Sequence, residues 1–258
     1  YKSWADYQLE QSMAKTPDAA SALLKQVIDA GLARAAQEER DLLELAKADG
    51  VTKLAAWDWR YYSEKLRQQR YAFDETQLKQ YLPLEGIREG LWYTTNRLYG
   101  VTVKERSDIP VWTAGVKTFD MFDKDGTRLG LFYGDWFARP TKQPGAWMNE
   151  IRTQDGMRKL TPQVVNNTNY NVPAAGQPAL LSFDDAKTMF HEFGHATHGL
   201  FSRTHYPTLA GTNVYRDFVE FPSQFYEHWM SSREVLQQFA RNDKGEPMPP
   251  TLLDSLLK

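Results

Sequence analysis

The sequence predicts a mainly α-helical protein with a small antiparallel β-sheet between two helical blocks. Residues 1–100 carry helix-capping signals, residues 101–172 contain runs of β-branched and aromatic side chains, and helix signals return at Ser182. We therefore divide the 258 residues into a helical region, 1–100, and one continuous region, 101–258, that holds the sheet and the later helices.

The first region is predicted to contain four helices. Thr16 is typical of an N-cap and Pro17 of a first helical position, so the first helix is expected to run from there to Asp49 and Gly50. Gly100 is a suitable residue just past a helix end. The other helices are expected at residues 57–71, from about Asp74 onward, and at residues 84–99.

The second region begins with strand signals and ends with helix signals. Strands are expected at residues 101–103, 111–121, 129–137 and 164–172. The segment Asp123-Lys124-Asp125-Gly126 has the composition of a hairpin turn, which favours antiparallel pairing. Helix is expected from Ser182 to Phe239, and another amphipathic helix from Thr251 to Lys258.

Composition excludes several classes of function. Lys and Arg number 31 against 33 Asp and Glu, and the net charge of −2 gives no electrostatic reason to expect nucleic acid or a membrane surface as a partner. The absence of Cys excludes disulfides, iron–sulfur clusters, Cys-ligated zinc and thiol nucleophiles. We expect a globular, cytoplasmic protein, with the periplasm as the alternative because a chain without Cys suits both compartments. The oligomeric state is not indicated.

One segment has the spacing of a metal site. Residues 191–195 read His-Glu-Phe-Gly-His and match H-E-x-x-H. Ser182 and Asp185 resemble a capping box, which predicts a helix that carries this motif in its interior. Four residues apart on a helix, His191 and His195 differ by roughly 40° in azimuth and about 6 Å in height. Both imidazoles can therefore reach one metal ion.

The middle residues of the motif favour catalysis over a plain helix. Glu192 projects beside the two histidines, where it could take a proton from the attacking water instead of binding the metal. The alternative is an ordinary helix with two satisfied histidines. Gly194 counts against that alternative, because an interior Gly costs about 1 kcal/mol of helix stability.

A catalytic zinc normally has three protein ligands. His198 lies about 10 Å along the helix axis from His191, too far to share a metal. A carboxylate from the next helix remains, and Asp217, Glu220 and Glu227 are the candidates. Asp217 and Glu220 also match a capping-box pair, so Glu220 could instead be a helix-start residue.

Several segments resemble the M3 family of zinc metallopeptidases, the thimet oligopeptidase group, and within it the bacterial peptidyl-dipeptidases. The likeness covers essentially the whole chain. It is carried by residues 57–62 (WDWRYY), 145–148 (GAWM), 173–181 (PAAGQPALL), 191–201 (HEFGHATHGLF), 211–213 (GTN) and 217–224 (DFVEFPSQ).

The resemblance implies one Zn²⁺ per chain, bound by His191, His195 and Glu220, with Glu192 as general base. It implies a zincin-like helical core within a longer, two-lobed peptidase, and an extended peptide lying along a sheet edge before the motif helix. The start at Tyr1, without Met, agrees with a piece of a longer protein.

The implied function is hydrolysis of short peptides with release of C-terminal dipeptides. Two alternatives stay open: an endo-acting oligopeptidase of the same family, and an inactive helical module that binds zinc structurally or binds a partner. Residues that could orient metal-bound histidines are Asp217, Gln224 and Glu227, unless they serve as caps or face solvent. Residues of the intervening loop that could meet substrate, or simply be exposed, are His205, Tyr206 and Tyr215.

Overall fold

The computed structural model describes residues 1–71 and 75–257, which fall into two compact units. One contains the N-terminal helices and Asp254–Leu256, and the other spans Glu75–Leu253. The predicted helix start at Asp74 lies outside the described residues, as does Lys258. The division after residue 100 stays a prediction. No helix in the described part of the chain has both the length and the apolar character needed to cross a membrane.

Helices dominate the described residues, as predicted. Their bounds are α1 (Trp4–Glu10), α2 (Pro17–Lys47), α3 (Asp58–Tyr71), α4 (Glu75–Lys79), α5 (Leu84–Tyr99), α6 (Phe183–Leu200), α7 (Glu220–Met230), α8 (Arg233–Phe239) and α9 (Pro250–Leu256). Thr16 caps α2, because its hydroxyl oxygen accepts from the N–H of Ala19 at 3.2 Å. Gly100 ends α5 with a φ of 75°, a left-handed conformation that suits Gly.

In the first unit, α2 and α3 pack through a small apolar cluster. Leu42 and Ala46 of α2 and Tyr62 of α3 are buried together there. Lys65 supports the pair of helices with an ion pair to Asp49 at 2.7 Å.

The second unit contains a five-stranded sheet with the order β1-β2-β3-β5-β4. The strands are β1 (Thr102–Arg106), β2 (Lys117–Phe122), β3 (Arg128–Phe137), β4 (Trp147–Arg152) and β5 (Gln163–Tyr170). The predicted turn joins β2 to β3, with the N–H of Asp123 bonded to the carbonyl of Thr127 at 2.8 Å.

The prediction of an antiparallel sheet is wrong, because β3 and β5 pair in parallel. After β3 the chain crosses to the sheet edge, forms β4, and then turns back to lay β5 between β3 and β4. Two reversals of direction return β5 to the direction of β3. The sheet is therefore mixed. Strand β4, which the sequence did not predict, forms one of its two edges, and β1 forms the other.

Helices α5 and α6 cover one face of this sheet. The ring of Trp92 in α5 lies 5.3 Å from Phe119 of β2, 5.8 Å from Phe132 of β3 and 5.2 Å from Phe193 of α6. Aromatic pairs at these separations contribute beyond the area they bury. The packed rings fix α6 against the sheet and so set which of its side chains point away from the core.

Helix α6 runs antiparallel to β5. At one end, the Tyr170 hydroxyl of β5 donates to the carbonyl of Asp185 in the first turn of α6, at 2.8 Å. At the other end, a Cβ placed on Gly199 in the last turn of α6 would lie 3.1 Å from Cγ1 of Val164. The middle of α6 therefore lies above β5, beside the edge strand β4.

Candidate metal centre

Helix α6 starts where its capping signal predicts. The Ser182 hydroxyl oxygen accepts from the N–H of Asp185 at 3.0 Å, and the Asp185 carboxylate accepts from the N–H of Ser182 at 2.9 Å. Phe190 and Phe193 are fully buried and hold one face of the helix in the core. His191 and His195 are consequently turned toward the neighbouring helix α7.

Helix α7 approaches α6 closely at a glycine. A Cβ on Gly194 would lie 2.6 Å from Cα of Ser223 and 2.7 Å from the carbonyl oxygen of Pro222, both backbone atoms of α7. Pro222 is tolerated because it falls in the first turn, where its missing N–H has no helical partner to lose. Glu220 is the first residue of α7 and faces the two histidines.

The structure brings His191, His195 and Glu220 together. Oε2 of Glu220 lies 3.3 Å from Nε2 of His191 and 3.2 Å from Nε2 of His195. At bond lengths of about 2.1 Å, two ligands of one tetrahedral zinc ion stand about 3.4 Å apart. The two imidazole nitrogens and the carboxylate oxygen all lie within 4.8 Å of one another, and two His with one Glu are a known ligand set for a zinc that keeps one position for water.

Glu220 is held in place by a residue that the sequence did not predict. The buried Ser223 donates to Oε2 of Glu220 at 2.8 Å, and residues three apart share one face of a helix. Burial raises the pKa of Glu220, but this hydrogen bond and the two histidines outweigh it and hold the pKa below its usual value. Glu220 is therefore anionic at neutral pH, as a metal ligand must be.

His195 is suited to metal binding by its protonation state. Burial and the nearby His191 lower the pKa of His195, and Glu220 raises it. Burial is the largest of these effects, so the pKa lies below its usual value. A neutral imidazole keeps a lone pair available for a metal ion.

Glu192 is buried beside this cluster. Its Oε2 atom has no hydrogen-bond partner among the described residues. Burial, and secondarily the negative charge of Glu220, raises the pKa of Glu192 to about 7. A carboxyl with such a pKa can both accept and release a proton near neutral pH, which is the property of a general base that later acts as an acid.

The three candidates for orienting the histidines lie in different places. Glu227 has Oε1 4.0 Å from Nδ1 of His191 and 3.9 Å from Nζ of Lys187, on the side of the imidazole away from Glu220. Gln224 is exposed and lines a groove on the outer face of α7. Asp217 is exposed ahead of α7, and the predicted capping box with Glu220 is wrong, because α7 starts after Val219 without a side-chain cap. Their roles toward a metal stay predictions.

The loop between α6 and α7 carries the remaining candidates. His205, Tyr206 and Tyr215 are all exposed. His205 and Tyr206 contact each other edge to face at 4.7 Å, and a contact with substrate stays a prediction for all three. His198 is outside the cluster of metal-ligating side chains found among the described residues, and its ring lies against Phe218 at 6.2 Å.

Comparison with known proteins identifies the family of this chain. Residues 1–258 match the family model described as peptidase family M3. The chain is 43% identical to a dipeptidyl carboxypeptidase of Salmonella typhimurium over 100% of this chain and 38% of the relative. It is 43% identical to a dipeptidyl carboxypeptidase of Escherichia coli over 98% of this chain and 37% of the relative, and 38% identical to an oligopeptidase A of Escherichia coli over 100% and 39%.

The chain thus spans only 37–39% of the length of each of these three relatives. The match of the family model is not confined to the H-E-x-x-H motif but extends over the full sequence. The family resemblance carried by the motifs is confirmed, and the chain belongs to peptidase family M3.

Proposed function

We propose that this protein is a zinc peptidase that hydrolyses short peptides. In this proposal His191, His195 and Glu220 bind one zinc, and Glu192 is the general base. The observation that carries the proposal is the spacing of the donor atoms. The carboxylate oxygen stands 3.2 Å and 3.3 Å from the two imidazole nitrogens, close to the separation of about 3.4 Å expected between ligands of one tetrahedral ion.

Glu192 would move the proton of the reaction. A bound zinc supplies a Lewis acid that makes water a better nucleophile near neutral pH. Glu192 takes one proton from the water while the water oxygen attacks the scissile carbonyl carbon. Glu192 later gives that proton to the nitrogen of the leaving amine. The C–N bond breaks, and the two products carry a new carboxyl and a new amino terminus. Burial of Glu192 supports both steps by raising its pKa.

The edge strand β4 offers a site for an extended peptide. It pairs with β5 along one side, and no strand among residues 1–71 and 75–257 pairs with its other side. A peptide can add to such an edge through main-chain hydrogen bonds, largely independently of its sequence. This arrangement favours short, unfolded peptides as substrates.

Release of C-terminal dipeptides is the more specific proposal. It is supported by two relatives that are named dipeptidyl carboxypeptidase and are 43% identical to this chain. The alternative, endo-acting cleavage, is supported by the oligopeptidase A relative at 38% identity. A quenched peptide with a free C-terminal carboxylate, compared with its C-terminal amide, separates the two, because only the exo-acting enzyme requires the carboxylate.

The catalytic assignment is tested in the complete protein. Glu192→Gln should keep one zinc per chain and lose roughly 10²–10⁴-fold in kcat, the usual contribution of general base catalysis. Glu220→Ala should bind zinc more weakly. Glu39→Gln, on the exposed surface of α2, is the matched control and should change neither property.

Two results would contradict the proposal. Full peptidase activity in Glu192→Gln would exclude its role as general base, and parental zinc affinity in Glu220→Ala would place the third ligand elsewhere. A parent protein that holds stoichiometric zinc but cleaves no peptide would favour the inactive zinc-binding module.

A further inference from the structure

A partly buried glutamate with one buried carboxylate oxygen lies outside the metal cluster, on the edge strand β4. Glu150 of β4 pairs with Val164 of β5, and both side chains lie on the sheet face that α6 covers. Its Oε1 atom is buried and has no hydrogen-bond partner among the described residues. Burial raises the pKa of Glu150 more than the nearby Thr153 lowers it. This oxygen needs an explanation, because an unpaired buried polar atom is unfavourable.

Two glycines make room for this carboxyl group. A Cβ on Gly211 would lie 2.1 Å from Oε1 of Glu150, and a Cβ on Gly199 would lie 2.8 Å from the same atom. The three atoms closest to that Cβ position on Gly211 all belong to Glu150. Any other residue at either position would collide with the carboxyl group or displace it.

The contact joins three parts of the site. Gly199 is in the last turn of the motif helix α6, and Gly211 lies in the segment that leads to Glu220 at the start of α7. The N–H of Gly211 donates to the hydroxyl of Ser202 at 3.0 Å, which closes the loop back onto the end of α6. The Glu150 carboxyl therefore lies against Gly199 in the last turn of α6 and against Gly211 in the middle of the loop between α6 and α7.

We propose that Glu150 is a positioning residue that locks the edge strand to the loop between α6 and α7, and so holds Glu220 against His191 and His195. This inference rests on the proposed zinc site. It connects strand β4, which is proposed to bind the peptide, with helix α7, which supplies the third ligand.

The first test measures zinc affinity by chelator competition in the complete protein, together with the thermal unfolding midpoint without zinc. Glu150→Ala should weaken zinc binding on the order of 10-fold, because residues that act on a site through intervening contacts change its binding free energy by about 0.5–2 kcal/mol. Glu150→Gln keeps the size and shape of the side chain and should stay within about 3-fold of the parent. A general packing defect would lower the unfolding midpoint without lowering the zinc affinity of the folded protein.

The second test is a double-mutant cycle. Gly211→Ala should weaken zinc binding strongly in the parent and much less when combined with Glu150→Ala, because the collision is then removed. The backbone strain at Gly211, with a φ of +57°, is common to both backgrounds and cancels. Gly126→Ala is the matched control, since its φ is +82° and no atom lies within 4 Å of the new Cβ. It should leave zinc affinity unchanged.

The possible outcomes separate the two proposals. A parent protein that binds no zinc overturns the proposed function and this inference together. A parent that binds zinc, with Glu150→Ala at parental affinity or with equal effects of Gly211→Ala in both backgrounds, overturns this inference alone.

Discussion

Replacing Gly194 by Ala should push apart the two helices that carry the metal ligands. The new Cβ would lie 2.6 Å from Cα and 3.0 Å from N of Ser223, and 2.7 Å from the carbonyl oxygen of Pro222. These are backbone atoms, so no side-chain rotation relieves the contact. Ordinary contact begins at 3.4 Å, and α7 must therefore move by about 0.8 Å. Glu220, one turn earlier on α7, moves with it.

The magnitude follows from two opposing effects. Ala instead of Gly in a helix interior gains about 1 kcal/mol, whereas overpacking a close contact costs about 1–3 kcal/mol. We expect the steric effect to win, because the contact is between backbones. Moving Glu220 by about 0.8 Å widens donor separations that now match a tetrahedral ion, and we expect zinc affinity to fall roughly 10–100-fold.

The assay is chelator competition for zinc, combined with urea unfolding of the metal-free protein. Gly31→Ala is the matched control, since Gly31 is interior to α2 and its Cβ would meet nothing within 4 Å. That variant should gain up to about 1 kcal/mol with unchanged zinc affinity. If Gly194→Ala behaved like Gly31→Ala in both measurements, the proposed close approach of α6 and α7 would be refuted.

Three further outcomes are expected. If the Glu227 carboxylate, 4.0 Å from Nδ1 of His191, orients that ring in the metal-bound protein, Glu227→Gln should weaken zinc binding on the order of 10-fold; unchanged affinity would remove that role. Asp120 is buried between two arginines; burial raises its pKa, but the arginines lower it further, below its unfolded value. The stability it provides is present above about pH 4 and is lost as the pH falls through the lowered pKa. Asp120→Asn should therefore lower the unfolding free energy more at pH 7 than at pH 2; an equal loss at both would contradict this. Tyr226→Phe removes a buried hydrogen bond of 3.1 Å to Thr95 and should cost about 1 kcal/mol in urea unfolding; equal stability would show that the bond contributes nothing.

Local signals predicted the helix ends well. Thr16, Ser182 and Gly100 act on backbone groups within about four residues, and each forms the cap that its type predicts. The spacing of His191 and His195 likewise needs only helix geometry to bring two imidazoles to one side.

Features that depend on distant partners were not predicted. Strand β4 contains Asn149, Glu150 and Arg152, which weaken any strand signal, and it forms by pairing with β5. The parallel pairing of β3 with β5 results from the order in which strands enter the sheet, and no local pattern encodes that order.

The metal cluster was predictable only in part. Residue spacing left Asp217, Glu220 and Glu227 as equal candidates, and family resemblance selected the one that the structure brings within 3.3 Å of both histidines. Ser223 was missed because the sequence did not fix where α7 starts, and residues three apart share one face only within a helix.

The order of the strands in the sheet has a consequence for how the protein folds. Leu131 pairs with Gln163, so β5 can join the sheet only after the chain between them has closed a loop around β4. Pairings of such sequence separation form slowly, because the entropy of closing the loop is lost before the contact is made. Helix α6 packs on β5 and α7 packs on α6, so the two imidazoles and the carboxylate meet late. We therefore expect zinc to slow unfolding of the completed protein and to leave the rate of its folding almost unchanged.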